Sequence, residues 1–216
     1  MSRLRALGRS TVGKKAVMAA SGVVLAGFVI AHMLGNLQIF AGRARIDAYA
    51  RSLREAPVLL WSVRALLAAA FVVHVVLALQ LAARKRAARP TGYRVRTRDR
   101  RAARTMLWTG AAIGVFVAVH LANLTWGLLH PRFEPLAVYD NVVTLFHASP
   151  WSAFYVVAVV ALGAHIAHGL WSAPTSLGLV PERGAPRLRR LARGAAAAVA
   201  TGMLAVVLAA AAGALR

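Results

Sequence analysis

The 216-residue chain contains no cysteine, which excludes disulfides, thiolate zinc sites, cysteine-bound iron–sulfur clusters and thioether-attached haem. Acidic residues are almost as scarce: 6 Asp and Glu stand against 27 Lys and Arg, a formal charge of +21. Charged residues of both signs reach only 15%, against 59% hydrophobic residues and a mean hydropathy of +0.61. That is the composition of a membrane protein and not of a soluble domain. GxGxxG after a strand, a P-loop, HExxH and GxSxG are all missing, so nothing in the chain performs substrate chemistry by itself.

Five apolar stretches are present, at about residues 16–40, 58–83, 104–129, 149–173 and 190–214. Each exceeds the roughly 20 helical residues needed to cross a hydrocarbon core. A backbone in lipid must satisfy its own hydrogen bonds, so the stretches predict helices. The first is too long for a signal-peptide core and carries Asn36 and Gln38 where a cleavage site would need small residues. The expected architecture is a single all-α membrane domain over residues 1–216, with the first four helices forming a bundle. No repeat of the usual lengths stands out beyond the helices themselves.

The basic residues alternate between linkers. Residues 1–15, the second linker with Arg84 to Arg104, and the fourth linker with Arg183 to Arg193 hold 20 of the 27 cations. The positive-inside rule then places the N-terminus in the cytoplasm and the C-terminus outside. The same rule accounts for the net charge without nucleic acid. A basic face of this kind suits an acidic partner or anionic lipid headgroups.

Five of the seven histidines fall inside spans: His32, His74, His120, His165 and His168. His32 and His120 are each the seventeenth residue of a span that starts inside, about 25 Å above the cytoplasmic helix ends at 1.5 Å per residue. His74 and His165, on spans running the other way, lie about 13 Å above that side. A single intramembrane histidine serves equally well as a hydrogen-bonding group, a proton relay or a metal ligand. Four at two matched depths on antiparallel helices point to two bis-histidine haems, since neutral imidazoles fill both axial positions without burying charge. Gly35, Ala70, Ala78, Gly163 and Gly169 offer small residues near them. His168 reads as a packing residue, and His130 and His147 as solvated surface histidines.

The order of motifs resembles a known family. It runs from Gly13–Lys15 (GKK) through HMLGNLQIF from His32, DAYA from Asp47 and RTMLWTG from Arg104 to HIAHGLWS from His165. Together these are similar to the cytochrome b membrane anchor of bacterial succinate dehydrogenase or fumarate reductase, of the single-chain, five-helix, di-haem type. The resemblance implies two haem b groups, an outer one on His32 and His120 and an inner one on His74 and His165, and it favours His165 over His168 as ligand. It also implies a flavoprotein subunit with FAD and an iron–sulfur subunit on the cytoplasmic face, and a membrane quinone, menaquinone in this type. The setting would be the multi-pass bacterial inner membrane, the respiratory chain and the tricarboxylic acid cycle, in a complex for which oligomers are an open expectation. Some relatives carry a glutamate two residues before the fourth-span ligand as a proton route; Gly163 stands there, which speaks against that route.

Ser21 and Arg104, near the inner level, are candidate partners for haem propionates. Asp47 and Glu55, the acids of the first outer linker, are candidates for the quinone and proton site; Glu134 and Asp140 are the other outer acids, and each is equally well read as a solvated countercharge. Two other readings fit the histidine pattern: a di-haem cytochrome of another quinone-linked complex, or a non-redox helical transporter or scaffold.

Overall fold

The computed structural model describes residues 10–88 and 98–215, apart from the side chains of residues 98–104. Among them there are seven α-helices and no strand. They are α1 (Thr11–Asn36), α2 (Arg43–Arg54), α3 (Pro57–Ala87), α4 (Arg98–Leu124), α5 (Val138–Phe146), α6 (Pro150–Ser176) and α7 (Ala185–Ala211), with short 3-10 turns at Leu37–Ala41 and Glu182–Gly184. Helices α1, α3, α4, α6 and α7 are the five long enough and apolar enough to cross a membrane.

The helix starts follow local chemistry. Ser10 caps α1 by accepting from the Gly13 amide at 2.9 Å, and Ser149 caps α6 by accepting from the Trp151 amide at 3.3 Å. Pro57 and Pro150 open α3 and α6, where a missing N–H costs nothing. The third span is shorter than the sequence pattern suggests. It stops at Leu124 because Thr125 and Trp126 both donate to Leu121 O, at 3.0 and 2.9 Å, and Gly127 adopts the left-handed region at φ 70°. A Cβ at Gly127 would lie 2.5 Å from the Phe133 ring, so the turn requires glycine twice over.

The transmembrane helices form two pairs. α3 packs on α1 and α4 packs on α6, while α7 lies against α6 and α1 on one flank. The main contact between the pairs is α1 on α6. The basic ends of α1 and α3 are tied by hydrogen bonds from Lys14 to Gln80 and from Arg84 to Thr11.

The opposite end is capped. The amphipathic helices α2 and α5, absent from the sequence-based expectation, lie across it in linkers that otherwise read as short connections. With the Leu37–Ala41 turn, their apolar faces build the most enclosed core among the described residues: Ile39, Ile46, Leu145 and Phe146 are at most 2% exposed, and they cluster with Tyr155 of α6, Val206 of α7 and Leu215. The membrane-facing helices bury far less of themselves, as helices with lipid for a solvent do.

Candidate haem-ligating histidine pairs

The four histidines meet as two couples across the boundary between the helix pairs. His32 of α1 faces His120 of α4 with ring centroids 5.8 Å apart, and His74 of α3 faces His165 of α6 at 6.2 Å. Among the described residues no three His, Asp or Glu side chains converge as an ion cage. The donors come in twos.

The surroundings of the inner couple fix its chemistry. Ser21 donates its hydroxyl proton to Met18 O at 2.9 Å, and its oxygen lies 3.3 Å from His74 Nδ1. Thr109 donates to Thr105 O at 2.9 Å, and its oxygen lies 3.2 Å from His165 Nδ1. With the proton donated there, each hydroxyl presents its oxygen to Nδ1, an arrangement that suits a hydrogen on that nitrogen. Met18 O, 3.1 Å from His74 Nδ1, requires the same tautomer. In that tautomer each Nε2 keeps a lone pair, the form in which an imidazole can ligate a metal. An imidazole nitrogen sits about 2 Å from a bound metal and about 1.1 Å from its own ring centre, so two axial imidazoles on one metal place their centroids about 6 Å apart. Both couples have that spacing. The residues therefore fit a group that takes two axial imidazoles.

No family model, curated protein or solved structure matches the chain. What bears on the site is the geometry and an internal equivalence that it exposes. Ser21-Gly22 precedes His32 by the same interval at which Thr109-Gly110 precedes His120. The rings of His74 and His165 lie over those glycines, with Cε1 3.1 Å and 3.6 Å from where a Cβ would stand. Phe28 stacks on His32 with centroids 5.3 Å apart, and Phe116 lies tilted against His120 at 5.4 Å. The α1/α3 and α4/α6 pairs thus repeat one pattern, and like histidines meet across the boundary between them.

At the outer level the equivalence breaks. His120 Nδ1 lies 3.5 Å from the Tyr155 hydroxyl. Tyr155 is 3% exposed, beneath α5 and packed against Phe146. Fully buried Asn123 is an interaction partner of the same hydroxyl, although its amide closes no hydrogen bond of good geometry. His32 has no such hydroxyl among its hydrogen bonds.

Other candidate residues fall elsewhere. Ser21 stands at the inner level as expected, but facing the His74 ring and bonded to Met18 O. The side chain of Arg104 lies outside the described residues. Asp47 is buried and accepts from the Tyr139 amide at 3.0 Å, capping α5 from α2 where Ala137 offers no side-chain cap. Asp140 pairs with Arg43, whose guanidinium also lies over Tyr139; Glu55 and Glu134 are exposed. His130, expected at the surface, is 9% exposed: its Nε2 donates to Asn141 O at 2.8 Å and its Nδ1 accepts from the Arg132 amide at 3.0 Å. It fixes the loop after the Gly127 turn. Gly35 is covered by Tyr49, and Gly163 packs on Ala200 of α7, so neither lies beneath a ring of the couples.

Thr109, Tyr155, Gly22 and Gly110 are the site residues that spacing arguments missed. The signal was present as a hydroxyl–glycine dipeptide three helical turns before a histidine, occurring twice.

Proposed function

We propose that the chain is a di-haem cytochrome b that anchors a succinate:quinone oxidoreductase in the membrane and carries electrons between an iron–sulfur subunit and membrane quinone. The observation that carries this reading is the two imidazole couples, with ring centroids 5.8 and 6.2 Å apart. Two haem b groups, if held there, would supply one-electron redox chemistry in the apolar interior.

The chain's own residues do the rest. His32 with His120, and His74 with His165, would hold those groups through neutral imidazole nitrogen. Ser21, Met18 O and Thr109 hold the inner rings in one tautomer and orientation, and Tyr155 holds His120. Gly22 and Gly110 let the inner rings lie close to the neighbouring helix backbone. The apolar helix walls exclude water, and the cap of α2 and α5 seals one end.

In this reading the basic end is cytoplasmic and receives the flavoprotein and iron–sulfur subunits, in the inner membrane of a bacterium. The carbon chemistry belongs to the flavoprotein. The test is a pyridine haemochrome assay on purified protein: two haem b per chain is expected, and a preparation without reducible Soret and α bands overturns the proposal. A co-purifying flavoprotein with covalent FAD distinguishes this assembly from other quinone-linked complexes.

A further inference from the structure

One buried side chain has no place in the function above. Among the described side chains of α4 only Asn123 is buried, at 0% exposure, and it is polar. Neither atom of its carboxamide closes a hydrogen bond of good geometry. Enclosing an amide in that way is costly and calls for a polar neighbour.

Its position on the helix identifies that neighbour. Phe116, His120 and Asn123 fall at i, i+4 and i+7, one ridge along α4. Tyr155 of α6 lies along this ridge. Its ring meets Phe116 with centroids 5.2 Å apart, and its hydroxyl lies 3.5 Å from His120 Nδ1. Asn123, one turn beyond the histidine, interacts with the same hydroxyl.

The other repeat lacks this device. The interval from Ser21 to Thr109 also separates Phe28 from Phe116 and His32 from His120, and it carries Gly35 onto Asn123. Gly35 has no amide to offer, and its open side is filled by Tyr49, whose hydroxyl stands 2.9 Å from where a Cβ would be. The buried carboxamide therefore belongs to the His120 side alone.

The inner level shows what such a group does. There a backbone carbonyl takes the proton of each hydroxyl beside a histidine: Met18 O for Ser21 and Thr105 O for Thr109. Among the described residues Tyr155 has no such carbonyl in its hydrogen bonds. A carboxamide oxygen can fill that place. With the hydroxyl proton given to Asn123 Oδ1, the Tyr155 oxygen is presented to His120 Nδ1, which suits a hydrogen on that nitrogen and leaves Nε2 its lone pair.

We infer that Asn123 is a positioning residue of the outer couple, its amide oxygen setting the direction of the hydrogen bond at His120 through the Tyr155 hydroxyl. The inference rests on the reading of His120 as an axial ligand and adds an asymmetry to it. One outer imidazole is braced by a hydroxyl and an amide, and the other, His32, by the stacked ring of Phe28.

The test uses the full chain in nanodiscs, with isotope-labelled histidine, reduced so that any bound low-spin iron is diamagnetic. The Nδ1–H magnetic resonance signal of His120, identified by its absence from His120→Gln, reports the bond. In wild type the hydrogen is expected on Nδ1 and shifted downfield by its acceptor. Asn123→Leu, which keeps the volume and deletes the amide, should move the signal upfield, and Tyr155→Phe should do the same. The double variant should move it no further than Tyr155→Phe, because the amide acts through the hydroxyl. Tyr49→Phe, which deletes the hydroxyl over Gly35, should leave it in place. The outer haem should pass to apomyoglobin about tenfold faster from Asn123→Leu, the effect of losing support behind a metal-binding histidine, with the inner haem unchanged. A packing role alone leaves the signal unmoved, so a wild-type signal in Asn123→Leu overturns the inference. An Nδ1 without hydrogen in the wild type overturns it too, whichever variants fold. Absence of haem from wild type overturns the electron-carrier reading, and the signal still decides the role of Asn123.

Discussion

Replacing Thr109 with valine removes one acceptor and little else. Valine keeps the β-branch and volume, so α4 is undisturbed, but the Nδ1 hydrogen of half-buried His165 then faces a methyl where an oxygen stood at 3.2 Å. A buried donor left without its acceptor costs about 1–3 kcal/mol. Loss of such an outer partner to a metal-binding histidine weakens the metal site about 10–100-fold. His74 is better insured, since Met18 O remains 3.1 Å from its Nδ1 when Ser21 is truncated. Thr109→Val should therefore exceed Ser21→Ala in effect. Haem transfer to apomyoglobin measures this: one of the two haems should leave about 10–100-fold faster from Thr109→Val, and its midpoint potential should rise as the imidazole becomes a weaker donor. Thr109→Ser should restore both. Equal perturbation of the two haems, or none, would refute the tautomer argument.

Three further outcomes are expected. His74→Ala or His165→Ala should halve the haem content by emptying the inner site alone, read by pyridine haemochrome; unchanged content contradicts the pairing. Gly22→Ala places a methyl 3.1 Å from His74 Cε1, whereas Gly110→Ala meets His165 at an ordinary 3.6 Å; the first should shift the inner haem's spectrum or occupancy and the second should not. Asp47→Ala deprives α5 of its only side-chain cap and should cost about 0.5–2 kcal/mol in reversible unfolding, with haem ligation retained and Asp47→Asn milder.

The span count, the helical class and the grouping of the four histidines into two couples could be read from hydropathy and rise per residue, because lipid leaves a backbone few alternatives. The cap could not. Helices α2 and α5 are short, and α5 starts without a local cap, relying on Asp47 from 92 positions away. No window of sequence contains that bond. His130 was misread for the same reason: its partners, Asn141 O and the Arg132 amide, are brought to it by a turn at Gly127. The internal repeat escaped notice because most of its pairs are apolar in any membrane helix. Only Ser21-Gly22 with Thr109-Gly110, and His32 with His120, keep the register visible.

The core joining Ile39 to Leu215 has a consequence for biogenesis. The region around Leu215 is synthesised after all five spans, so the lid over the outer end consolidates late. In the di-haem reading each flat tetrapyrrole would take its seat between the α1/α3 and α4/α6 pairs ahead of that closure, without having to thread a finished chamber.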